Sequence, residues 1–197
     1  MRDDASPVPD RQDVEQFLIS RGADRMAHPG GTLLEHLRRV AALLRSWGAD
    51  PAVETAGLCH ACYGTDGYDH PLVGIADRHI LSELIGSPAE ALVYLYGSCD
   101  RKVVYPRLAG SAPVPFRDRF TGRTVAPTER EVRAFMEITA ANELDVVRRN
   151  PAIAAEHGAG LFRLFERARH RLSDAAWLAC QDLLGNRRSP ETGGHQR

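Results

Sequence analysis

The sequence contains no apolar run that approaches the roughly 20 residues needed to span a bilayer. It begins with MRDDASPVPDRQD, which is acidic and contains prolines, whereas a secretory signal begins with basic residues followed by apolar ones. We therefore expect a protein that does not enter a membrane and that resides in the cytoplasm.

A surplus of charge of either sign is also missing. The 197 residues include 25 Lys or Arg and 26 Asp or Glu, which gives a net charge of -1. Proteins that bind the backbone of nucleic acids or an anionic membrane generally carry a basic surplus. Neither partner is expected here, and a small molecule is the expected ligand.

Cysteine and several enzyme signatures are scarce or absent. Four cysteines are too few for the dense disulfide framework of a small secreted protein, which predicts reduced thiols. Cys59 and Cys62 have CxxC spacing, but the chain has no second such pair, and this excludes a zinc finger. The sequence also lacks GxxxxGKS or GxxxxGKT, GxSxG and HExxH, which disfavours three common enzyme classes.

The composition that remains is typical of a folded globular protein. Hydrophobic residues make up 43% of the chain and charged residues 26%, values that exclude collagen-like and wholly disordered sequences. The length predicts a single domain. Polar ends that contain Pro and Gly and lack periodicity place this domain at residues 10–185, between disordered tails at 1–9 and 186–197.

Hydrophobic periodicity and capping residues predict an almost entirely helical domain. The segment PFRDRFTGRTV alternates around Thr121-Gly122 and predicts a β-hairpin. The predicted fold class is all-α with one small inserted hairpin, and a helical-repeat protein is the alternative. The apolar stripe of the second helix places Leu37 and Trp47 in the core. The predicted helices span residues 11–20, 32–47, 51–63, 76–85, 88–96, 128–149, 152–170 and 173–184.

Two histidines fall on the inward faces of consecutive predicted helices. His36 lies within the apolar stripe of the helix at 32–47, and His60 lies on a face of small residues in the helix at 51–63. Antiparallel helices can bring two such side chains together, and a pair of neutral imidazoles suits Zn or Fe. The alternative is two core histidines that bond to ordinary partners.

The long helix predicted at 128–149 carries polar residues near its apolar stripe, namely Asn142 and Glu143. A buried carboxylate needs a cation, a metal or strong donors. Glu143 is therefore a candidate acid or base, and a salt bridge to an arginine is the alternative. Asp145 is expected to point outward.

These segments together resemble the HD-domain superfamily of all-helical, metal-dependent hydrolases and oxygenases. GGTLLEHLRRVAALLRSWG is similar to the helix with the first ligand, AGLCHACYGTDGY to the segment with the paired His and Asp, and ITAANELDVV to the late helix with the final Asp. The resemblance covers about residues 28–149 and implies His36, His60 and Asn142 as ligands of a divalent Fe, Mn or Zn ion. The segments HPGGTLLEHL, HACYGTDGY, YLYGSCDR and ANELDVV also resemble a bacterial family that has no assigned activity.

The sequence departs from the superfamily at both carboxylates, because Ala61 and Asn142 stand where the aspartates are expected. Their loss removes negative charge that binds the ion and a general base. Two functions therefore stay open. One is an HD-like hydrolase or oxygenase that acts on a small polar metabolite, such as a phosphorylated or nucleotide-like compound. The other is a descendant of this fold that binds a small molecule or a partner without metal or turnover.

The loop after His60 supplies further candidates. Tyr63, Thr65 and Asp66 cluster beside the histidines, so Tyr63 and Asp66 are candidate catalytic groups and Thr65 is a candidate substrate contact. A plain helix stop and turn is the alternative. This loop is expected to form the rim of a pocket on which both histidines converge.

Arginines on the predicted hairpin and near it are candidate substrate contacts. Arg117, Arg119 and Arg123 share one parity and suit a phosphate or carboxylate, with a solvated face as the alternative. Arg101 follows an apolar helix and is a candidate to reach the same pocket, with an ordinary salt bridge at the helix end as the alternative. We predict that Arg101, Arg117 and Arg119 contact the substrate.

Overall fold

The computed structural model describes residues 9–111 and 113–185, and of the predicted tails only Pro9 lies inside these ranges. The described residues are mostly helical, as predicted, and form nine α-helices and two short β-hairpins. In chain order the elements are α1 (Arg11–Ser20), β1 (Ala27–His28), β2 (Gly31–Thr32), α2 (Leu33–Ser46), α3 (Pro51–Cys59), α4 (Arg78–Ile85), α5 (Ser87–Ser98), α6 (Arg101–Val104), β3 (Phe116–Arg117), β4 (Thr124–Val125), α7 (Glu129–Arg149), α8 (Pro151–Arg167) and α9 (Asp174–Leu184).

Helices α2 and α7 both begin at a capping box, where the sequence predicts a start. Glu35 Oε2 accepts the Thr32 N–H at 2.7 Å, and the Thr32 hydroxyl accepts the Glu35 N–H at 3.3 Å. Thr128 and Glu131 repeat this arrangement with the same two distances. Each box satisfies N–H groups that the first helical turn leaves without partners. The helix starts therefore follow from local chemistry.

The centre of the fold is a bundle in which α2 packs against α3 and α7, and α3 packs against α5. Helices α8 and α9 pack on α7. Gly57 permits the close approach of α3 to α2, because a Cβ atom there would lie 2.2 Å from Leu44 Cδ1. This packing brings the end of α3, which carries His60, against α2.

The β3–β4 hairpin confirms the predicted one. Phe116 pairs with Val125 and Arg117 pairs with Thr124, in antiparallel register. Gly122 supplies a φ of +70° in the connection, a conformation that glycine adopts without strain. The Phe116 side chain is buried and fastens the hairpin to the bundle.

The β1–β2 hairpin was not predicted from the sequence. Ala27 pairs with Thr32 and His28 pairs with Gly31, so the chain folds back just before α2. Its turn sequence, HPGG, was an available signal, but strands of two residues are too short to show alternation. The hairpin places His28 beside α2.

The prediction that Leu37 and Trp47 are both core residues is correct for Leu37 only. Leu37 is fully buried, whereas Trp47 is half-buried. Helix α2 ends at Ser46, so the indole lies at the end of the bundle and lacks neighbours on one side. It lines a surface cleft instead of filling the core.

None of the described helices is long and apolar enough to cross a membrane. The four cysteines are free and buried. Burial raises the pKa of the Cys99 and Cys180 thiols to about 12, so both are protonated at neutral pH and are poor nucleophiles.

Candidate functional site

Three helices bring the predicted histidines and the polar residues of α7 together. His36 on α2 and His60 at the end of α3 are both buried, and their ring centroids lie 5.2 Å apart in an edge-to-face arrangement. Asn142 on α7 contacts His36 directly, with 3.0 Å between Asn142 Oδ1 and His36 Nε2. The helical rotations predicted for these three residues therefore agree with one another in the folded chain.

A third histidine, His28, joins this group from the β1–β2 hairpin. Its ring stacks on His36 with centroids 4.0 Å apart, and Tyr68 contacts its edge at 5.6 Å. Within the described ranges, His28 Nδ1 is buried and has no hydrogen-bond partner. We call His28, His36 and His60 the histidine cluster.

Asp145 holds His36 from the other side, which corrects the prediction that Asp145 points outward. Asp145 is 4% exposed, and its Oδ2 accepts the His36 Nδ1 proton at 2.7 Å. Arg39 binds both carboxylate oxygens, at 2.7 and 2.9 Å. The sequence prediction considered only the apolar stripe of α7. It missed that Arg39, one turn after His36 on α2, supplies a cation for a buried carboxylate.

The hydrogen bonds around His36 connect Asn142 and Asp145 of α7 to one ring. Asn142 Nδ2 donates to Glu143 at 3.2 Å, and Asn142 Oδ1 lies 3.0 Å from His36 Nε2. Burial alone would raise the pKa of Asp145, but its bonds to His36 and Arg39 outweigh burial and lower that pKa to about 2. The Asp145 carboxylate is therefore ionised at neutral pH.

The imidazoles of His60 and His28 are both neutral at pH 7. Burial lowers the pKa of His60 to about 3 and that of His28 to about 4. His60 Nδ1 lies 2.8 Å from the Gly57 carbonyl oxygen, which can only accept, so Nδ1 carries the proton. His60 Nε2 therefore presents a lone pair on the side of the ring away from the α3 backbone.

Arg101, a predicted substrate contact, lies among the polar residues that surround the cluster. Its Nη1 donates to Glu143 at 3.1 Å and its Nη2 to the Tyr96 hydroxyl at 3.2 Å. The Tyr96 ring in turn contacts the His60 ring at 5.2 Å. Glu143 thus forms the salt bridge to an arginine that was the alternative to a role as acid or base. The arginine in this salt bridge borders the cluster. In the described part of the chain, the buried hydroxyl of Tyr105, whose ring lies 5.7 Å from the Arg101 guanidinium, has no hydrogen-bond partner.

The loop after His60 reaches the site through some of its predicted residues. Asp66 Oδ2 accepts the Arg101 backbone N–H at 2.9 Å and so fixes the start of α6. Thr65 forms a bridge with Tyr68, which contacts His28. Thr65 and Asp66 therefore shape the rim, and neither contacts the histidine rings directly.

Tyr63, a predicted catalytic group, bonds to a residue of α5 and not to the histidine cluster. Its hydroxyl donates to Glu90 Oε1 at 2.7 Å, and Arg78 binds the same carboxylate at 2.7 and 2.8 Å. Burial raises the pKa of Tyr63 above its usual range, so the phenol stays protonated. Helix α3 ends at Cys59, earlier than the predicted Tyr63, and the chain then turns this side chain toward α4 and α5.

The predicted arginine face of the hairpin does not line the histidine cluster. Arg117 is exposed. Arg119 donates from Nε to the Gly97 carbonyl at 2.7 Å and lies 3.6 Å from Asp69, so it ties the hairpin to α5 and to the loop. The alternation along the hairpin sequence predicted that the arginines share one face, but it did not indicate which element that face contacts.

The donor set offers little charge to a metal ion. His36 Nε2, His60 Nε2 and Asn142 Oδ1 are imidazole and amide donors, and Ala61 supplies no ligand. Among the described residues, no group of three or more His, Cys, Asp or Glu side chains is arranged to hold a metal. Divalent ions are held most tightly where free carboxylates supply negative charge, and the nearby carboxylates of Asp145 and Glu143 already pair with Arg39 and Arg101, so the residues do not fit a tightly held metal.

Comparison with known proteins identifies a similar domain over part of the chain. A family model described as a domain of unknown function (DUF6817) matches residues 17–101. This segment contains His28, His36, His60 and Arg101 but not the α7 residues that bond to them. No curated protein matches the chain, and no solved structure does either. The chain is thus similar to that domain from the end of α1 to the start of α6, a stretch that contains all three residues of the histidine cluster.

Proposed function

We propose that the protein binds a small polar molecule at the histidine cluster, without a resident metal. One observation carries this proposal: neutral His28 and neutral His60 both contact His36, and in the described part of the chain the buried His28 Nδ1 has no hydrogen-bond partner. A buried polar group without a partner costs about 1–3 kcal/mol. A ligand that bonds to these atoms would recover that cost.

The hydrogen-bond donors and acceptors in and around the cluster indicate the kind of ligand. His60 Nε2 accepts a hydrogen bond, because its proton is on Nδ1. The Tyr105 hydroxyl, which lies beside Arg101, can donate or accept. A compound with hydroxyl or N–H groups at one end and an oxygen acceptor at the other matches this arrangement. Nucleosides, nucleotides and sugar phosphates are of this type.

A metal-assisted, HD-like hydrolase or oxygenase is the second candidate. The observation that favours it is that His36 and His60 each direct Nδ1 to an acceptor, Asp145 or the Gly57 carbonyl. Partners of this kind orient metal-bound imidazoles in many sites. The neutral donor set and Ala61 favour the metal-free function instead. Elemental analysis of the purified protein separates the two, since stoichiometric Zn, Mn or Fe would support the enzyme.

A thermal-shift panel tests the metal-free proposal. Nucleosides, nucleoside monophosphates and sugar phosphates are added in turn to the wild type, His60→Gln and His157→Gln, with chelator present. His157 is exposed on α8 and serves as the matched control. We expect at least one compound to raise the melting temperature of the wild type and His157→Gln but not of His60→Gln. Equal stabilisation of all three proteins would place the compound elsewhere.

A further inference from the structure

A surface cleft lies at the opposite end of the bundle from the histidine cluster. It is a cleft of about 680 Å³, within the size range of small-molecule sites. Trp47, which directly follows α2, lines the cleft eleven residues after His36, about 16 Å along the helix axis. On α7, Arg133 lines it nine residues before Asn142, about 13 Å away. The cleft is therefore separate from the proposed ligand site.

One wall of the cleft is apolar. The half-buried indole of Trp47 stands at its edge, and Val53, Leu92 and Ala134 come from three different helices. An aliphatic or aromatic body placed there would remove this surface from water, which contributes about 25 cal/mol per Å². The wall therefore suits the apolar part of a ligand.

The charges around the cleft are compensated unequally. Asp50 pairs with Arg130 at 3.0 Å, Glu131 closes the capping box of α7, and Glu137 accepts the Ser173 N–H at the start of α9. All three acidic side chains of the cleft therefore already have a cation or a helix N-terminus as partner.

Arg133 is the cation of this cleft with the weakest partner. Its nearest carboxylate in the described structure is Glu129, at 3.7 Å, and Arg171 already binds both oxygens of Glu129 at 3.0 and 3.2 Å. The Arg133 side chain is 55% exposed and lies one turn from Arg130 on α7. A guanidinium in this position has donors free for an anion.

We propose that this cleft binds an amphipathic monocarboxylate, with its apolar body against Trp47 and its carboxylate on Arg133. The four helices α3, α5, α7 and α9 all begin at the cleft, and their N-terminal dipoles add to the positive potential there. A cationic amphiphile of the same shape would place its charge beside Arg133 and Arg130. Repulsion between these like charges would disfavour its binding. The ligand class is thus set by an apolar wall with a guanidinium at its edge.

Tryptophan fluorescence offers a direct readout of this cleft. The chain has two tryptophans, and Trp177 packs on Phe162, outside the lining of the cleft. In a Trp177→Phe background all indole emission comes from Trp47. Octanoate, octylammonium and 1-octanol serve as anionic, cationic and neutral probes of equal chain length. We expect a saturable change in emission with octanoate, a weaker one with octanol and none with octylammonium.

Variants then locate the carboxylate. Arg133→Gln removes an exposed side chain with one long ion pair and leaves the fold intact, and we expect it to weaken octanoate binding about tenfold. Arg163→Gln, at an exposed arginine of α8, and His60→Gln should bind octanoate as the parent does. Three results would each overturn the proposal: no saturable response to octanoate, an equal response to octylammonium, or unchanged affinity in Arg133→Gln.

Discussion

His36 Nδ1 lies 2.7 Å from Asp145 Oδ2, and this bond joins the first turn of α2 to the last third of α7. The two residues are 109 positions apart in the chain. Both are buried, and Arg39 neutralises the carboxylate from the solvent side. The bond fixes the ring on which His28 stacks, so the geometry of the histidine cluster depends on Asp145.

Asp145→Asn should therefore destabilise the protein strongly. The amide keeps the shape of the side chain but leaves Arg39 and His36 without their shared anion, and breaking such a buried group costs about 3 kcal/mol or more. Asp24→Asn is the control, because Asp24 is exposed and lies 3.9 Å from Arg25. Urea unfolding measures both. A loss in Asp145→Asn no larger than in the control would show that the ion pair contributes little.

Acid should destabilise the protein through its neutral histidines. In the unfolded chain a histidine takes up a proton at a pKa near 6.5, whereas folded His60 and His28 do so only at about 3 and about 4. Between these values the unfolded state binds more protons, so the free energy of unfolding falls as the pH is lowered from about 6.5. Urea unfolding at several pH values measures this slope.

The variant His60→Gln should reduce the slope between pH 6.5 and pH 4, because it removes one of the two groups responsible. His157→Gln, at an exposed site, should leave it unchanged. An unaltered slope in His60→Gln would mean that His60 is not held neutral in the folded protein.

Two glycines in helices should respond in opposite ways to alanine. A Cβ atom at Gly97 would lie 3.0 Å from the Gly64 carbonyl oxygen and 3.1 Å from Tyr63 Cβ, so Gly97→Ala should cost about 1–3 kcal/mol through crowding. A Cβ atom at Gly160 in α8 meets nothing within 4 Å, and Gly160→Ala should gain about 0.5–1 kcal/mol. Thermal unfolding compares them, and destabilisation by both would show that α8 packs differently.

Leu37→Ala should cost more than Trp47→Ala, although tryptophan is the larger residue. Leu37 is fully enclosed and its truncation leaves a cavity, at a cost of about 2–5 kcal/mol. Trp47 faces the cleft, so its loss leaves no closed cavity, and we expect about 1–2 kcal/mol. Chemical unfolding of the two variants measures the loss in the free energy of unfolding. A larger loss in Trp47→Ala would show that Trp47 is a core residue.

The helices could be predicted from the sequence because their signals are local. Thr32 with Glu35 and Thr128 with Glu131 announce the starts of α2 and α7 within four residues, and both boxes form. The inward positions of His36 and Asn142 followed from the same helical periods. Local sequence patterns were sufficient to predict a feature wherever the contact that determines it lies within one or two helical turns.

The parts of the site whose positions could not be derived from the sequence depend on contacts between distant segments. His28 reaches His36 through a hairpin too short to show a period, and Asp145 is buried because Arg39 on another helix pairs with it. Tyr63 was assigned to the site because it follows His60, but Glu90 on α5 draws it away. None of these partners could be identified from spacing along the chain.

The imidazole nitrogens of His60 give the most direct test of the proposed ligand site. Long-range proton–nitrogen NMR spectra distinguish a protonated ring nitrogen from one with a free lone pair. We predict that His60 at pH 7 carries its proton on Nδ1, and that a compound which stabilises the protein in the thermal-shift panel moves the His60 Nε2 resonance but not those of His157. A His60 ring protonated on both nitrogens, or a resonance that does not move when the compound binds, would contradict the proposal.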